Sequence, residues 1–483
     1  MKKPLLSLPE LDIRGLLFFR VSLGLILAWK FWVVVPGDFQ ELYGQDGLLG
    51  NCFRLGYLEA NGSGGWLFGF EADWILWFMS ILCGLTMMLF SVGVYPGLMA
   101  TIGSICMMLW HDRFQMLWFG WEQYAQVLLF LAIFLPWGKV EIQSRIKSLG
   151  GPLVFALIFQ IAFIYFFNAV SKIGGKWWDG TAISFALAGL ERQNSAGKWL
   201  LNQEFWAIGL TYATWIWEFM FPIVLLLGWR NNVIRTCLAF SIPIFHWCIS
   251  IFMDVGDFRW IAIPAGLLLI PASFWDKLPE KIWKLYPLRA PITFQPYRTP
   301  PIAGVIASSM LIGIMLLSNL SKSLNSRTED PIKSIWGGSA LHGLINSIYP
   351  DFLPRFSFFG QHWHFFSPNP PMECGFLRTQ ILLEDGNLIA VYRGEEGLAN
   401  PLGRTANYLM QYLAIDRNTK KAEVLAQCIA TQESNMWHEK HPGKRAKSLS
   451  LSLYSYQPST LADLRLPAPT LQRKELIRFG FDY

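Results

Sequence analysis

The chain has 483 residues, of which 53% are hydrophobic, 16% aromatic and 15% charged. Soluble domains carry about a quarter charged residues, so an ordinary soluble enzyme is excluded. The net charge of +6 does not point to nucleic acid, because the Lys and Arg residues cluster between apolar segments, where they set membrane topology.

Apolar residues recur in blocks of roughly 18–22, the helical length that crosses a hydrocarbon core. The first block, Leu16 to Val35, lacks a small-residue cleavage site and is too long for a signal-peptide core, so it reads as a retained first span. The pattern predicts an α-helical polytopic membrane protein with about nine spans, at 14–35, 74–94, 97–111, 123–138, 152–173, 205–228, 233–252, 258–274 and 301–319. The third and fourth are short. Lys2, Lys3 and Arg14 precede the first span, and Lys139, Arg145 and Lys147 follow the fourth. Arg230 and Arg235 separate the sixth and seventh, and Lys277, Lys281, Lys284, Arg289 and Arg298 follow the eighth. With nine spans all of these fall on one side, which predicts a cytoplasmic N-terminus and an extracytoplasmic tail. The retained first span and the lack of organelle signals fit a multi-pass protein of a bacterial inner membrane.

Residues 1–320 form the expected transmembrane domain, 321–369 a connecting segment at the membrane surface, and 370–483 a small β-rich domain. Residues 376–393 read as two strands around Asp385-Gly386, a favourable hairpin turn. Ser448 to Leu453 alternates serine and leucine, as a half-buried strand does. Of the seven cysteines, Cys83, Cys106, Cys237 and Cys248 lie in spans and read as packing residues. A Cys374–Cys428 disulfide would require an oxidising compartment. No metal-ligand spacing occurs. His362 and His364 share a face but lack a third ligand.

Lys172 ends the uncharged run Leu153 to Ser171 and precedes Ile-Gly-Gly-Lys-Trp-Trp-Asp-Gly. A partly desolvated lysine can serve as a base, and an ionisable group bordering a span is a functional candidate. A lysine there can equally snorkel to the headgroups. His111 ends the third span and His246 lies about two turns inside the seventh. Asp254 and Asp257 follow the seventh. These groups share the outer half of the bundle. Each also has a plain structural alternative: a core histidine for His246, a solvated loop start for His111, loop carboxylates for the aspartates, and an interfacial aromatic belt for Trp177 and Trp178. Glu218 lies mid-span, four residues before Pro222. A lone carboxylate there costs several kcal/mol unless paired, so it either supports the backbone freed by the proline or faces a substrate. Inverted repeats and midplane charges are too few for a transporter.

The order of these features resembles the HTTM family, the membrane domain shared with vitamin K-dependent gamma-carboxylases. The matching residues are Phe19-Arg20, Tyr43-Gly44-Gln45-Asp46-Gly47, and Asn168-Ala169-Val170-Ser171-Lys172-Ile173 with Trp177 and Gly180. Glu218 with Pro222, His246, and Gln361-His362-Trp363 with Phe365, Phe366, Pro368 and Pro370 complete the set. The resemblance implies a reduced vitamin K or another quinol as cofactor and Lys172 as the base that deprotonates it, with His246 or His111 as helper. It implies a pocket that includes Glu218, Asn168, Trp177, Trp178, Asp179 and Gly180. A Glu-containing secreted peptide would be carboxylated on the extracytoplasmic side. The chain departs from the carboxylases in its short tail and in Trp121-Glu122-Gln123-Tyr124, where an asparagine-bearing element would be expected. The alternative is a non-enzymatic HTTM-like protein that binds a lipid or a peptide as an immunity, maturation or assembly factor. Family likeness alone does not decide between them.

Overall fold

The computed structural model describes residues 9–47, 49–55, 72–114, 119–135, 137, 148–189, 194–253, 255–279, 374–391, 420–444, 446–456 and 472–480, with isolated positions between 309 and 316 and at Phe366, Asn369 and Pro370. The described chain is mostly helical. The helices that build the bundle are α1 (Ile13–Trp29), α2 (Asp73–Val92), α3 (Pro96–Arg113), α4 (Gly120–Ile133) and α5 (Pro152–Ser171). Three short helices follow, α6 (Gly175–Trp178), α7 (Ala182–Gly189) and α8 (Ser195–Leu201). Then come α9 (Glu204–Gly228), α10 (Asn232–Phe252), α11 (Phe258–Leu269) and α12 (Ala272–Trp275).

Five segments are long and apolar enough to cross a membrane: Ile13–Gly37, Asp73–Val92, Pro152–Ser171, Glu204–Gly228 and Asn232–Phe252. They coincide with five of the nine expected spans. Three further expected spans are helices that do not qualify. α3 is not apolar enough, and α4 and α11 have only 14 and 12 residues. α11 stops because Ile270 precedes Pro271 and takes an extended conformation, as pre-proline residues prefer. The expected span at 301–319 lies almost wholly outside the described residues.

Helix starts follow local chemistry. Asp12 accepts the Arg14 N–H at 2.8 Å and caps α1. Asn231 accepts from Val233 and Ile234 and caps α10, and Asn194 accepts from Gly197 and caps α8. Such caps satisfy backbone donors that have no partner inside the helix. Arg14 also bridges to Asp12 and Asp276, each at 2.8 Å, tying the start of α1 to the end of α12. A short antiparallel pair, β1 (Glu10–Asp12) with β2 (Ser148–Gly150), joins the starts of α1 and α5.

One apolar core runs through the bundle. α1 lies against α2 and α11, and the α2–α3 hairpin continues into α4. α5 lies against α9, and α10 against α11. Between α1 and α2 the approach is close: a Cβ on Gly24 would stand 2.7 Å from the Met87 carbonyl oxygen. The outward faces of α2, α9 and α10 remain apolar and exposed, as at Phe78, Leu85, Ile216, Leu227 and Ile244, which suits lipid contact.

In the tail, β3 (Cys374–Leu383), β4 (Leu388–Val391), β5 (Ala446–Tyr456) and β6 (Gln472–Gly480) form an antiparallel sheet in the order β4-β3-β5-β6. The Asp385-Gly386 turn joins β3 to β4. There the Asn387 backbone N–H and side-chain amide both donate to Asp385 at 2.9 Å, which holds that carboxyl below its ordinary range. Along β5, Leu449 and Leu451 are buried while Ser448 and Ser450 are half-buried, but Ser452 is buried too, so the expected alternation breaks at the bulge between Leu451 and Ser452. The sequence reading missed a helix, α13 (Lys420–Lys440), which packs on β5 and β6. The cysteine expectation is also corrected. Cys428 on α13 pairs with Cys52, not with Cys374. A sequence separation of 376 gives no pattern by which this pair could be recognised.

Candidate functional site

α5 ends at Ser171, and Lys172 closes it by donating its N–H to Ala169 and Val170. Gly174 and Gly175 follow with φ of +99° and +54°, left-handed values that glycine adopts without steric cost. This double turn starts α6 immediately and sets Trp177 over the Lys172 ammonium, 4.2 Å from the ring centroid. Lys172 is thereby turned inward and is 2% exposed. The snorkelling arrangement is not adopted.

The ammonium meets Glu218 of α9, with Nζ 2.8 Å from Oε1 and 2.6 Å from Oε2. Asn168, one turn before Lys172, donates from Nδ2 to the same Oε1 at 2.7 Å. Glu218 is therefore paired across helices and does not serve the backbone freed by Pro222, which as an anion it could not donate to. The Trp215 indole donates to the Ala169 carbonyl at 3.1 Å and draws α9 against the end of α5.

The tryptophan that covers Lys172 is itself held from afar. Its Nε1 donates to the Phe366 carbonyl at 2.7 Å, and the Lys176 N–H donates to Asn369 Oδ1 at 2.8 Å. Phe366 has φ +57°, an uncommon value for a non-glycine residue, which fits a locally strained site. Thus Phe366 and Asn369, from the Phe-Ser-Pro-Asn-Pro run, dock on the turn that carries Lys172. His362 and His364 lie outside the described residues, as does Asp254.

Beside this centre, Tyr165 of α5 hydrogen-bonds His246 of α10 at 3.0 Å. His246 stacks on Phe258 at 5.2 Å, and Trp217 and Phe221 meet the Tyr165 ring edge-on at 4.9 Å. His246 is thus a hydrogen-bonded core histidine next to the lysine site. Trp178 is 59% exposed, as a belt residue would be. Its carbonyl accepts from Tyr212. Asp179 accepts from Thr181 and lies 3.7 Å from Lys176. Gly180 has φ +81° and faces Tyr212. These last three shape the turn and do not reach Lys172 in any recorded contact.

His111 belongs to a different cluster, which sequence reading did not assemble. Lys30 opens a π-helical turn (Lys30–Val34) at the end of α1, a distortion often found at functional sites. Its ammonium pairs with Glu122 of α4 and lies 4.8 Å from the Trp121 ring. The second carboxylate oxygen of Glu122 accepts the Phe119 N–H at 2.9 Å and lies 3.9 Å from His111 Nε2. The Trp121-Glu122-Gln123-Tyr124 segment, which lacks the expected asparagine, therefore supplies an acid to a buried lysine instead. Lys30 sits inside an apolar run, and that was the available signal.

Among the described residues no group of three or more His, Cys, Asp or Glu could hold a metal ion. Comparisons with protein-family models, with curated proteins and with solved structures return no match, so the chemistry of the site rests on its geometry.

Proposed function

We propose that the chain is a multi-pass membrane protein of the HTTM kind, in which the Lys172–Glu218 couple takes a proton from a quinol. The single observation that carries this reading is the buried contact of Lys172 Nζ with both Glu218 oxygens. A charged pair is costly in a low-dielectric setting. Moving one proton across 2.6 Å removes both charges and leaves a neutral amine, the form that acts as a base. Asn168 steadies the carboxyl through the exchange, and Trp177 shields the amine from water. The surrounding rings of Trp177, Trp215 and Tyr165 offer the flat apolar surfaces that suit a quinone ring.

The quinol supplies, with dioxygen, the strong base needed for carboxylation: quinol, oxygen, carbon dioxide and a peptide glutamate give quinone epoxide, water and γ-carboxyglutamate. In this proposal the N-terminus is cytoplasmic, and the turn carrying Lys172 and the tail face the outside.

One observation favours a second reading. The recorded polar contacts of the ammonium all go to Glu218, so the pair would serve equally well as a fastener between α5 and α9 in a protein that binds a lipid or peptide without chemistry.

The test is quinol oxidation by the purified protein in lipid nanodiscs, wild type against Lys172→Ala and Lys172→Arg. Arginine keeps the cation but cannot supply a neutral base. The proposal expects both variants to lose oxidation while remaining folded. Equal rates in wild type and Lys172→Ala reject Lys172 as the base, and inertness of the wild type toward several quinols favours the second reading.

A further inference from the structure

A base acts only on a proton within hydrogen-bond reach, about 2.6–3.2 Å. Around Lys172 that reach is already filled. Nζ is bonded to both Glu218 oxygens, and the Trp177 ring covers it at 4.2 Å. Lys172 and Trp177 are 2% and 4% exposed. Removing Glu218 would strand a buried charge. Trp177 is the cheaper group to move, because it stands on a turn with glycine at both ends.

That turn runs from Gly174 to Gly180. Gly174, Gly175 and Gly180 have φ of +99°, +54° and +81°, left-handed values open to glycine. A Cβ on Gly174 would meet nothing within 4 Å, so this end of the turn has room to swing. At the other end Tyr212 of α9 donates to the Trp178 carbonyl at 2.8 Å. Between them, two bonds come from much later in the chain. Trp177 Nε1 donates to the Phe366 carbonyl at 2.7 Å, and the Lys176 N–H donates to Asn369 Oδ1 at 2.8 Å. Phe366 is a fixed post, because its side chain packs on a small apolar cluster of Ala186, Leu187, Leu200, Ala207 and Met253.

We propose that the Gly174–Gly180 turn is a gate over Lys172, that Phe366 and Asn369 are the positioning residues that latch it, and that a quinol reaches the amine only when Trp177 lifts. Naming a quinol as the entrant rests on the reading of the Lys172 site given above. The gate itself does not. Lifting changes no covalent bond. It breaks the two latch bonds, uncovers Nζ where the indole lay, and leaves Glu218 in place to receive the amine's proton. A flat aromatic ring then takes the place of the indole ring, so the gate also selects the shape of what replaces it.

The experiment measures acetylation of Lys172 by acetic anhydride, a small neutral reagent, in the full chain in nanodiscs without quinol. Peptide mass spectrometry reads Lys172 and, in the same molecules, Lys30, whose buried pair with Glu122 reports general loosening. Asn369→Ala and Trp177→Phe each remove one latch bond. Each should raise the Lys172 rate roughly three- to tenfold, the weight of one net hydrogen bond, with Lys30 unchanged. Asn369→Asp keeps the accepting oxygen and should stay near wild type, and Trp177→Ala should react fastest. The gate is overturned if wild type and Trp177→Ala react alike, if Asn369→Ala and Trp177→Phe match wild type, or if Lys30 rises in step with Lys172. A protein that shows the latched pattern yet oxidises no quinol discards the quinol and keeps the gate. Quinol oxidation without the latched pattern discards the gate alone.

Discussion

Trp177 lies with its ring 4.2 Å from Lys172 Nζ while its own N–H donates to the Phe366 carbonyl at 2.7 Å. One side chain thus covers a buried charge and fastens a residue 189 positions away. The lysine and the docked Phe366 carbonyl are therefore joined through a single indole.

The ion pair sets the first expectation. Glu218→Ala leaves the Lys172 ammonium buried without its counter-charge and should cost about 3–5 kcal/mol. Lys172→Met combined with Glu218→Leu should recover most of that loss, because no charge remains to be compensated. Denaturant unfolding of the purified protein in mixed micelles measures both. A double variant as unstable as Glu218→Ala would mean that the pair itself, and not the relief of an unpaired charge, holds α5 to α9.

Gly175 offers a sharper handle on the turn. A Cβ there would stand 2.2 Å from Asn369 Oδ1, and its φ of +54° disfavours other residues. Gly175→Ala should release Asn369 and, through it, Phe366 and Trp177. Protease cleavage within 362–371 should then accelerate relative to wild type. Asn369→Ala alone removes the acceptor of the Lys176 N–H and should accelerate cleavage in the same direction. Unchanged cleavage in Gly175→Ala would separate the turn from the docked run.

His246 and Tyr165 test whether the histidine is structural. His246→Phe keeps the stack on Phe258 but leaves the Tyr165 hydroxyl buried without its partner, a loss of about 1–3 kcal/mol. Adding Tyr165→Phe should return part of that stability. If the double variant is stable and still oxidises quinol at the wild-type rate, His246 is a packing residue. Loss of oxidation in a stable double variant would give it a part in the chemistry.

The Cys52–Cys428 bond gives a prediction independent of any activity. Peptide mapping without reduction should find these two cysteines linked. Replacing both with serine should cost about 2–5 kcal/mol and should loosen α13 before the helices of the bundle. Alkylation of both thiols in unreduced protein would rule out the pairing.

The hydropathy pattern carried the five long helices because each holds a predominantly apolar stretch of membrane length. It overstated α11, since the residue before Pro271 takes an extended conformation and ends the helix, which a hydropathy window does not register. Lys172 was legible as a charge bordering an apolar run, and Glu218 as a charge inside one. Their contact was not, because it joins residues 46 positions apart through the facing of two helices. Lys30 carries the same signal, a charge inside the first apolar run. Its partner Glu122 lies in a segment where the family likeness leads one to look for an asparagine.

The span between Cys52 and Cys428 also bears on biosynthesis. At roughly 5–20 residues per second, a sequence separation of 376 takes about 20 to 75 seconds to synthesise. Throughout that interval Cys52 waits with a free thiol, while helices α2 to α12 are made before its partner exists. An early, wrong partner is therefore available to Cys52 long before the right one. Correct closure is a late mark that a chain can receive only after Cys428 has been made.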